Sequence, residues 1–299
     1  MVNVSRRGFV VGGIGGLAAL LGVGELIEHG VLPGKAGLDE LLGACSVSEP
    51  TLTFDRPGHS AIGAFRSRAR GMEVGYTVAY PPGHGPGSQL PLVLYLHAFG
   101  GSHRSGLGGL TLARALAARE AGRALPPMAA VAVDGGGLYW NPHPGDNPMA
   151  MLVDEVIPRF QHLGLGRQAG SIGVVGISMG GYGALLLAEK YPRLICAAAA
   201  ISPAVWTSYR QARAANPGAF ASAADFARDD VITHAAALGH TPLRIASGRD
   251  DPFHPGVVAL ARVLPRSAIV EFPAGCHDSS FFASQQHQAL EFLGAHLRA

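Results

Sequence analysis

Residues 174–184 read VVGISMGGYGA. A β-branched run climbs to Gly176, a lone Ser178 follows, and glycines stand at positions 180, 181 and 183. Glycine is a poor helix former, so this density at the mouth of a helix needs another reason. The spacing Gly176-Ile177-Ser178-Met179-Gly180 is G-x-S-x-G, set between a predicted strand and a predicted helix. A serine on so sharp a turn needs small neighbours two residues to either side, because strand and helix pass closely there. Gly181 and Gly183 then let the helix lie close to the sheet. The turn sets the Ser178 hydroxyl at a strand tip and a helix N-terminus, whose partial positive charge favours a developing oxyanion. The same five residues also suit an ordinary glycine-rich turn, so the reading depends on what the rest of the chain brings to Ser178.

Outward from the serine, strand-like and helix-like segments alternate. EVGYTVAY from Glu73, LPLVLYLHA, MAAVAVD, SIGVVGIS, LICAAAAIS, PLRIASG and SAIVEFP read as strands. LARALAAREAG ending at Gly122, AMLVDEVIPRF, MGGYGALLLAEKYP stopped by Pro192, and the closing FFASQQHQALEFLGAHL read as helices. The inner strands are continuous apolar runs, as expected where helices cover both faces of a parallel sheet. The pattern predicts an α/β fold with a doubly wound, mostly parallel sheet. Residues 202–241 break the rhythm and are expected to form an insertion over the C-terminal edge of the strands, where such sheets bind ligands.

A nucleophilic serine in this setting is followed in the chain by an acid and then a histidine. The strand PLRIASG runs into Gly248-Arg249-Asp250-Asp251-Pro252-Phe253, which offers two adjacent acids. The strand SAIVEFP runs into Ala274-Gly275-Cys276-His277-Asp278 before the last helix. His277 is the candidate base, and one of the two aspartates would hold its tautomer. An oxyanion hole needs two backbone N–H groups. Met179, after the serine, is one candidate; Phe99, in the loop His97-Ala98-Phe99-Gly100-Gly101, is the other. Most of the remaining histidines read as solvated loop or helix residues, while His97 ends the LVLYLHA strand close to the proposed site. His97, His103 and Asp134 have no metal-ligand spacing, and the chemistry of an activated serine requires neither metal nor organic cofactor.

The chain has 299 residues, 48% of them hydrophobic and 15% charged, enough for one sizeable core. The formal charge is +2 and the basic residues are scattered, which argues against nucleic acid as a partner. The three cysteines, Cys45, Cys196 and Cys276, allow one disulfide and one free thiol, with Cys196 read as part of a buried strand. Ser5-Arg6-Arg7-Gly8-Phe9 followed by a short apolar run reads as a twin-arginine export signal over residues 1–30. LLGAC before Ser46 resembles a lipoprotein box but lies far from that run. Whether the leader is cleaved or kept as an anchor stays open, and an extracellular or cell-envelope location is expected. Residues 31–70 read as a connector and residues 71–299 as the catalytic domain.

Taken together, GISMGGYGALLLAEKYP, LYLHAFGG, SGRDDPF and GCHDSSFF…ALEFL resemble the esterase D/antigen 85 branch of the α/β-hydrolases over roughly residues 70–299. The resemblance implies the α/β-hydrolase fold, Ser178 as nucleophile, Asp251 at the G-x-x-D position as the acid, and His277 as base. It also implies oxyanion donors at Phe99 and Met179. His97-Ala98 stands where much of the superfamily has His-Gly, and Gly180-Gly181 gives an esterase elbow rather than a mycolyltransferase one. The loop holding Tyr139 and Trp140 resembles one that borders the active site in this branch; the two rings either line an acyl or acceptor pocket or pack the loop itself. The implied activity is cleavage of small-molecule or lipid carboxylic esters. Its rivals are acyl transfer to a sugar or lipid hydroxyl and a non-catalytic surface-binding protein.

Overall fold

The computed structural model describes residues 45–48 and 50–298. The expected export signal lies outside the described residues. Eight strands form one sheet in the order β11-β10-β9-β8-β4-β7-β3-β2. They are β2 (Ser60–Arg66), β3 (Glu73–Ala79), β4 (Leu92–Leu96), β7 (Ala129–Val133), β8 (Ile172–Ile177), β9 (Ala197–Ile201), β10 (Leu243–Ala246) and β11 (Ile269–Glu271). The strands from β11 to β7 pair in parallel, whereas β3 and β2 join antiparallel at the far edge. Every residue of β4, β7, β8 and β9 is buried. Their apolar runs are therefore explained by cover on both faces.

On one face lie a π-helical turn (Met151–Val156) running into α2 (Ile157–His162), then α3 (Met179–Lys190). On the other lie α1 (Leu112–Leu116) and the C-terminal α7 (Ser279–His296). The helix α3 carries no polar stripe: every residue but Lys190 is buried. Its outer side is covered by the insertion, which holds α4 (Tyr209–Ala215) and α5 (Ala223–Arg228); α6 (His254–Ala261) follows β10. Tyr182 of α3 shows the contact, donating its hydroxyl to the Asp229 carbonyl at 2.7 Å and meeting Phe220 edge-on.

Two boundaries differ from the sequence reading. The presumed connector already belongs to the fold, because Ser60–Arg66 pairs with β3 along its whole length. The helix expected to run to Gly122 stops at Leu116. The chain then forms β5 (Ala118–Glu120), which pairs with β1 (Leu52–Phe54) and turns through Ala121 and Gly122, both at positive φ, into β6 (Arg123–Ala124). Pairing partners far away in sequence outweigh the local helical pattern there. Cys196 precedes β9 rather than lying within it, and it is half-buried. Among the described residues no helix is long and apolar enough to cross a membrane.

The end of α3 carries a buried carboxyl. Burial pushes the Glu189 pKa from 4.5 up to about 7, with Lys190 opposing and Asp229 adding to the rise. A carboxyl held above its unfolded pKa binds its proton better in the folded state, so the folded state is penalised as pH rises from 4.5 toward 7. Glu189→Gln is expected to raise thermal stability at about pH 8, on the order of 2 kcal/mol, and to change little at about pH 4. Equal effects at both pH values in a melting experiment would exclude the carboxyl as the source.

Candidate active site

The β8–α3 turn places Ser178 at φ +55° and ψ −116°, a strained conformation for a residue with a side chain. A Cβ on Gly176 would fall on the Gly180 carbonyl, and one on Gly180 would fall on the backbone carbonyl of Leu96. The glycines flanking the serine are thus required by the close passage of strand, turn and neighbouring strand. Ser178 lies at the C-terminal tip of β8 and is 7% exposed.

Two loops at the same edge converge on it. The loop after β10 carries Asp251, whose side chain is fully buried. Its Oδ1 accepts the Phe253 N–H at 2.8 Å, and its Oδ2 lies 2.8 Å from Nδ1 of His277. A carboxylate only accepts, so Nδ1 carries the proton and Nε2 holds a free lone pair. The Ser178 hydroxyl donates to that Nε2 at 2.8 Å. The Asp250 carboxylate makes no hydrogen bond among the described residues: the residue is half-buried, and its backbone N–H donates to the Gly275 carbonyl at 3.0 Å. The structure therefore brings Ser178, His277 and Asp251 into one hydrogen-bonded row and leaves Asp250 out. Downstream, Asp278 caps α7 by accepting the Phe281 N–H at 2.9 Å, which fixes the chain as it leaves His277. Phe253 and Phe282 both pack against the imidazole, with ring centroids 5.0 and 5.2 Å from it.

Met179 opens α3, so its N–H has no carbonyl one turn back in the helix. The N–H of Phe99 makes no hydrogen bond among the described residues, and the Phe99 ring is 63% exposed. The loop that carries it is anchored by His97, a residue the sequence reading left without a role. His97 is fully buried. Its Nδ1–H donates to the Ala98 carbonyl at 2.8 Å, and its Nε2 accepts the Gly135 N–H at 2.9 Å. Burial, the main cause, holds the His97 pKa below the usual imidazole value, which matches the neutral tautomer these bonds require. A histidine closing an otherwise apolar strand was the available signal. His103 and Asp134 are likewise engaged with protein partners, the His103 N–H and the Gly75 N–H donating to Asp134 at 2.8 and 3.1 Å.

Tyr139 and Trp140 pack the loop. Trp140 is fully buried, its indole lies where a Cβ on Gly135 or Gly183 would sit, and its N–H donates to the His97 carbonyl at 3.4 Å. Tyr139 is 5% exposed and stacks on Trp206 at 4.6 Å. Neither ring lines the cavity that reaches Ile177, the residue before the serine. That cavity, of about 270 Å³, opens next to Ile177 between the Phe99 loop and the start of α7. Ala98, Phe99, Ile177, Ser279 and Phe282 are among its walls, and no charged side chain lines it.

The esterase family, described as "Putative esterase", matches residues 67–257. The chain belongs to this family. It is a carboxylic ester hydrolase. No curated protein matches the sequence. Among solved structures, a ferulic acid esterase is similar with a TM-score of 0.67 and 17% identity, over 80% of this chain and 99% of the other. An S-formylglutathione hydrolase from Agrobacterium tumefaciens gives 0.63 and 18%, over 83% and 99% of the two chains. Mycobacterium tuberculosis MPT51 gives 0.60 and 18%, over 79% and 99%. At these identities the likeness is one of fold, and the fold is that of the α/β-hydrolases.

Proposed function

We propose that this esterase is an exported serine hydrolase that works through Ser178, His277 and Asp251 and a covalent acyl-enzyme. The observation that carries the reading is the unbroken row of hydrogen bonds from Asp251 through His277 to a serine on a strained elbow. As His277 Nε2 takes the hydroxyl proton, Ser178 Oγ attacks the ester carbonyl. The negative charge that develops on the carbonyl oxygen meets the N–H groups of Met179 and Phe99. His277 then returns the proton to the leaving alcohol, and Asp251 stabilises the transient imidazolium. In the second half the same imidazole activates water, which releases the acid and restores Ser178. The uncharged walls of the cavity beside Ile177 suit an uncharged ester.

The test is mass spectrometry of the intact protein after exposure to a panel of acyl esters, with and without sugar acceptors. A transient adduct of acyl mass on Ser178, cleared by water at a rate independent of acceptor, is expected. Clearance only when a sugar hydroxyl is supplied would assign the protein to acyl transfer. No adduct with any ester would overturn the reading.

Export by the twin-arginine route is part of the proposal and rests on Ser5-Arg6-Arg7-Gly8-Phe9. Replacing both Arg6 and Arg7 with lysine is expected to leave folded enzyme in the cytoplasm of the producing cell. Unchanged amounts of the double variant outside the cytoplasm, measured by fractionation, would contradict it.

A further inference from the structure

Cys45 and Cys276 form a disulfide across 231 residues of sequence, and Cys276 is the residue before His277. The loop that carries His277 is fixed at both ends by hydrogen bonds. On the side toward Asp251, the N–H groups of Arg249 and Asp250 donate to the carbonyls of Pro273 and Gly275, both at 3.0 Å. On the other side Asp278 caps α7. Gly275, the last residue of the first anchor, has φ +139°, a conformation that favours glycine. Cys276 and His277 themselves make no backbone hydrogen bond among the described residues. The backbone there is held by packing, with the Phe281 ring and Val47 lying where a Cβ on Gly275 would sit and Gly248 close against Gly275 and Cys276, and by one covalent link, the bridge to Cys45. Cys276 is 2% exposed and Cys45 8%, so the bridge is part of the packing and not a surface ornament.

We propose that the Cys45–Cys276 disulfide is the positioning element for His277 and that full turnover requires it closed. The proposal rests on the reading of His277 as the base. An imidazole that must meet Ser178 on one side and Asp251 on the other tolerates little displacement, and the strap of residues 45–48 stops the one unbonded stretch of the loop from drifting. A dithiol opens the bridge by exchange: two electrons and two protons pass to the cysteine sulfurs, leaving two thiols, while the dithiol becomes a cyclic disulfide. Oxidised glutathione closes it in the reverse sense, and leaves as two molecules of thiol. Such bridges form and persist in oxidising compartments, so a chain made in a reducing cytoplasm and then exported would reach full activity only outside.

The experiment compares full-length oxidised protein, the same protein reduced with dithiothreitol under native conditions, and Cys45→Ser. Each is assayed on p-nitrophenyl acetate and for its rate of labelling by a fluorophosphonate, with circular dichroism as the check on folding. Cys45→Ser is expected to stay folded, to keep KM within about twofold, and to lose kcat by about 10- to 100-fold, with labelling slowed in parallel, as for a misplaced catalytic group. The reduced protein should match it and recover on reoxidation, and Cys196→Ser should behave as wild type. Turnover at the oxidised rate by either unbridged form overturns the proposal. So does a loss of activity that tracks global unfolding, which would make the bridge a staple only. If Cys45→Ser does not fold, the reversibly reduced protein decides on the same readouts. Failure of the underlying reading has a separate signature: activity retained by Ser178→Ala with the bridge intact.

Discussion

Ser178→Ala is expected to lower ester turnover on the order of 10⁴-fold or more, because a nucleophile and its base act as a unit. Alanine keeps the Cβ that the elbow already accommodates, so the φ of +55° is no worse tolerated and the fold should survive. What disappears is the Oγ on which His277 Nε2 is aimed at 2.8 Å. The proposed donors, the N–H groups of Met179 and Phe99, are untouched by the substitution, so a small residual rate with water as the attacking group is expected. Steady-state turnover and fluorophosphonate labelling of the purified, folded variant check this. An alanine variant that keeps most of the wild-type rate would remove Ser178 from the mechanism.

The candidate site was legible in the sequence because its constraints are local. Gly176 and Gly180 are dictated by backbone carbonyls that come too close for any Cβ, so a short pattern records a three-dimensional contact. The order of serine, acid and base follows from strand order, and the apolar runs of β4, β8 and β9 reveal strands covered on both faces. Features that depend on distant partners left no such trace. Ala118–Glu120 reads as helix until β1 is there to pair with it. Ser60–Arg66 is a half-exposed edge strand among glycines and prolines, and only its partner β3 shows it to be part of the sheet. Trp140 looks like a pocket wall in a loop rich in glycine, yet Gly135 of that loop and Gly183 of α3 make room for its indole. The pairing of Cys45 with Cys276 is of the same kind, since a separation of 231 residues carries no signal.

The choice between the two adjacent aspartates yields the second large effect. Asp251 has two oxygens and uses both: Oδ1 accepts the Phe253 N–H, and Oδ2 accepts the His277 Nδ1–H. Asparagine has one oxygen. In Asp251→Asn that oxygen is retained by the Phe253 N–H, which belongs to the backbone and cannot turn away. The amide NH₂ then faces Nδ1 and can only donate to it. Nδ1 must become the acceptor, the ring proton moves to Nε2, and an N–H points at the Ser178 hydroxyl where a lone pair is needed. Turnover should fall by about 10⁴-fold through this wrong tautomer, as in the serine-protease triad. The hydrogen bond between Phe253 and position 251 survives, and Pro252 still restricts the backbone conformation of that residue, so folding should be little affected. Asp250→Asn has no such mechanism: the group that Asp250 lends to the loop is its backbone N–H, on the Gly275 carbonyl at 3.0 Å, and the substitution leaves it in place. A loss of less than about tenfold is expected there. Parallel kinetics of the two variants decide it, and a reversed order of effects would make Asp250 the residue that orients His277 during turnover.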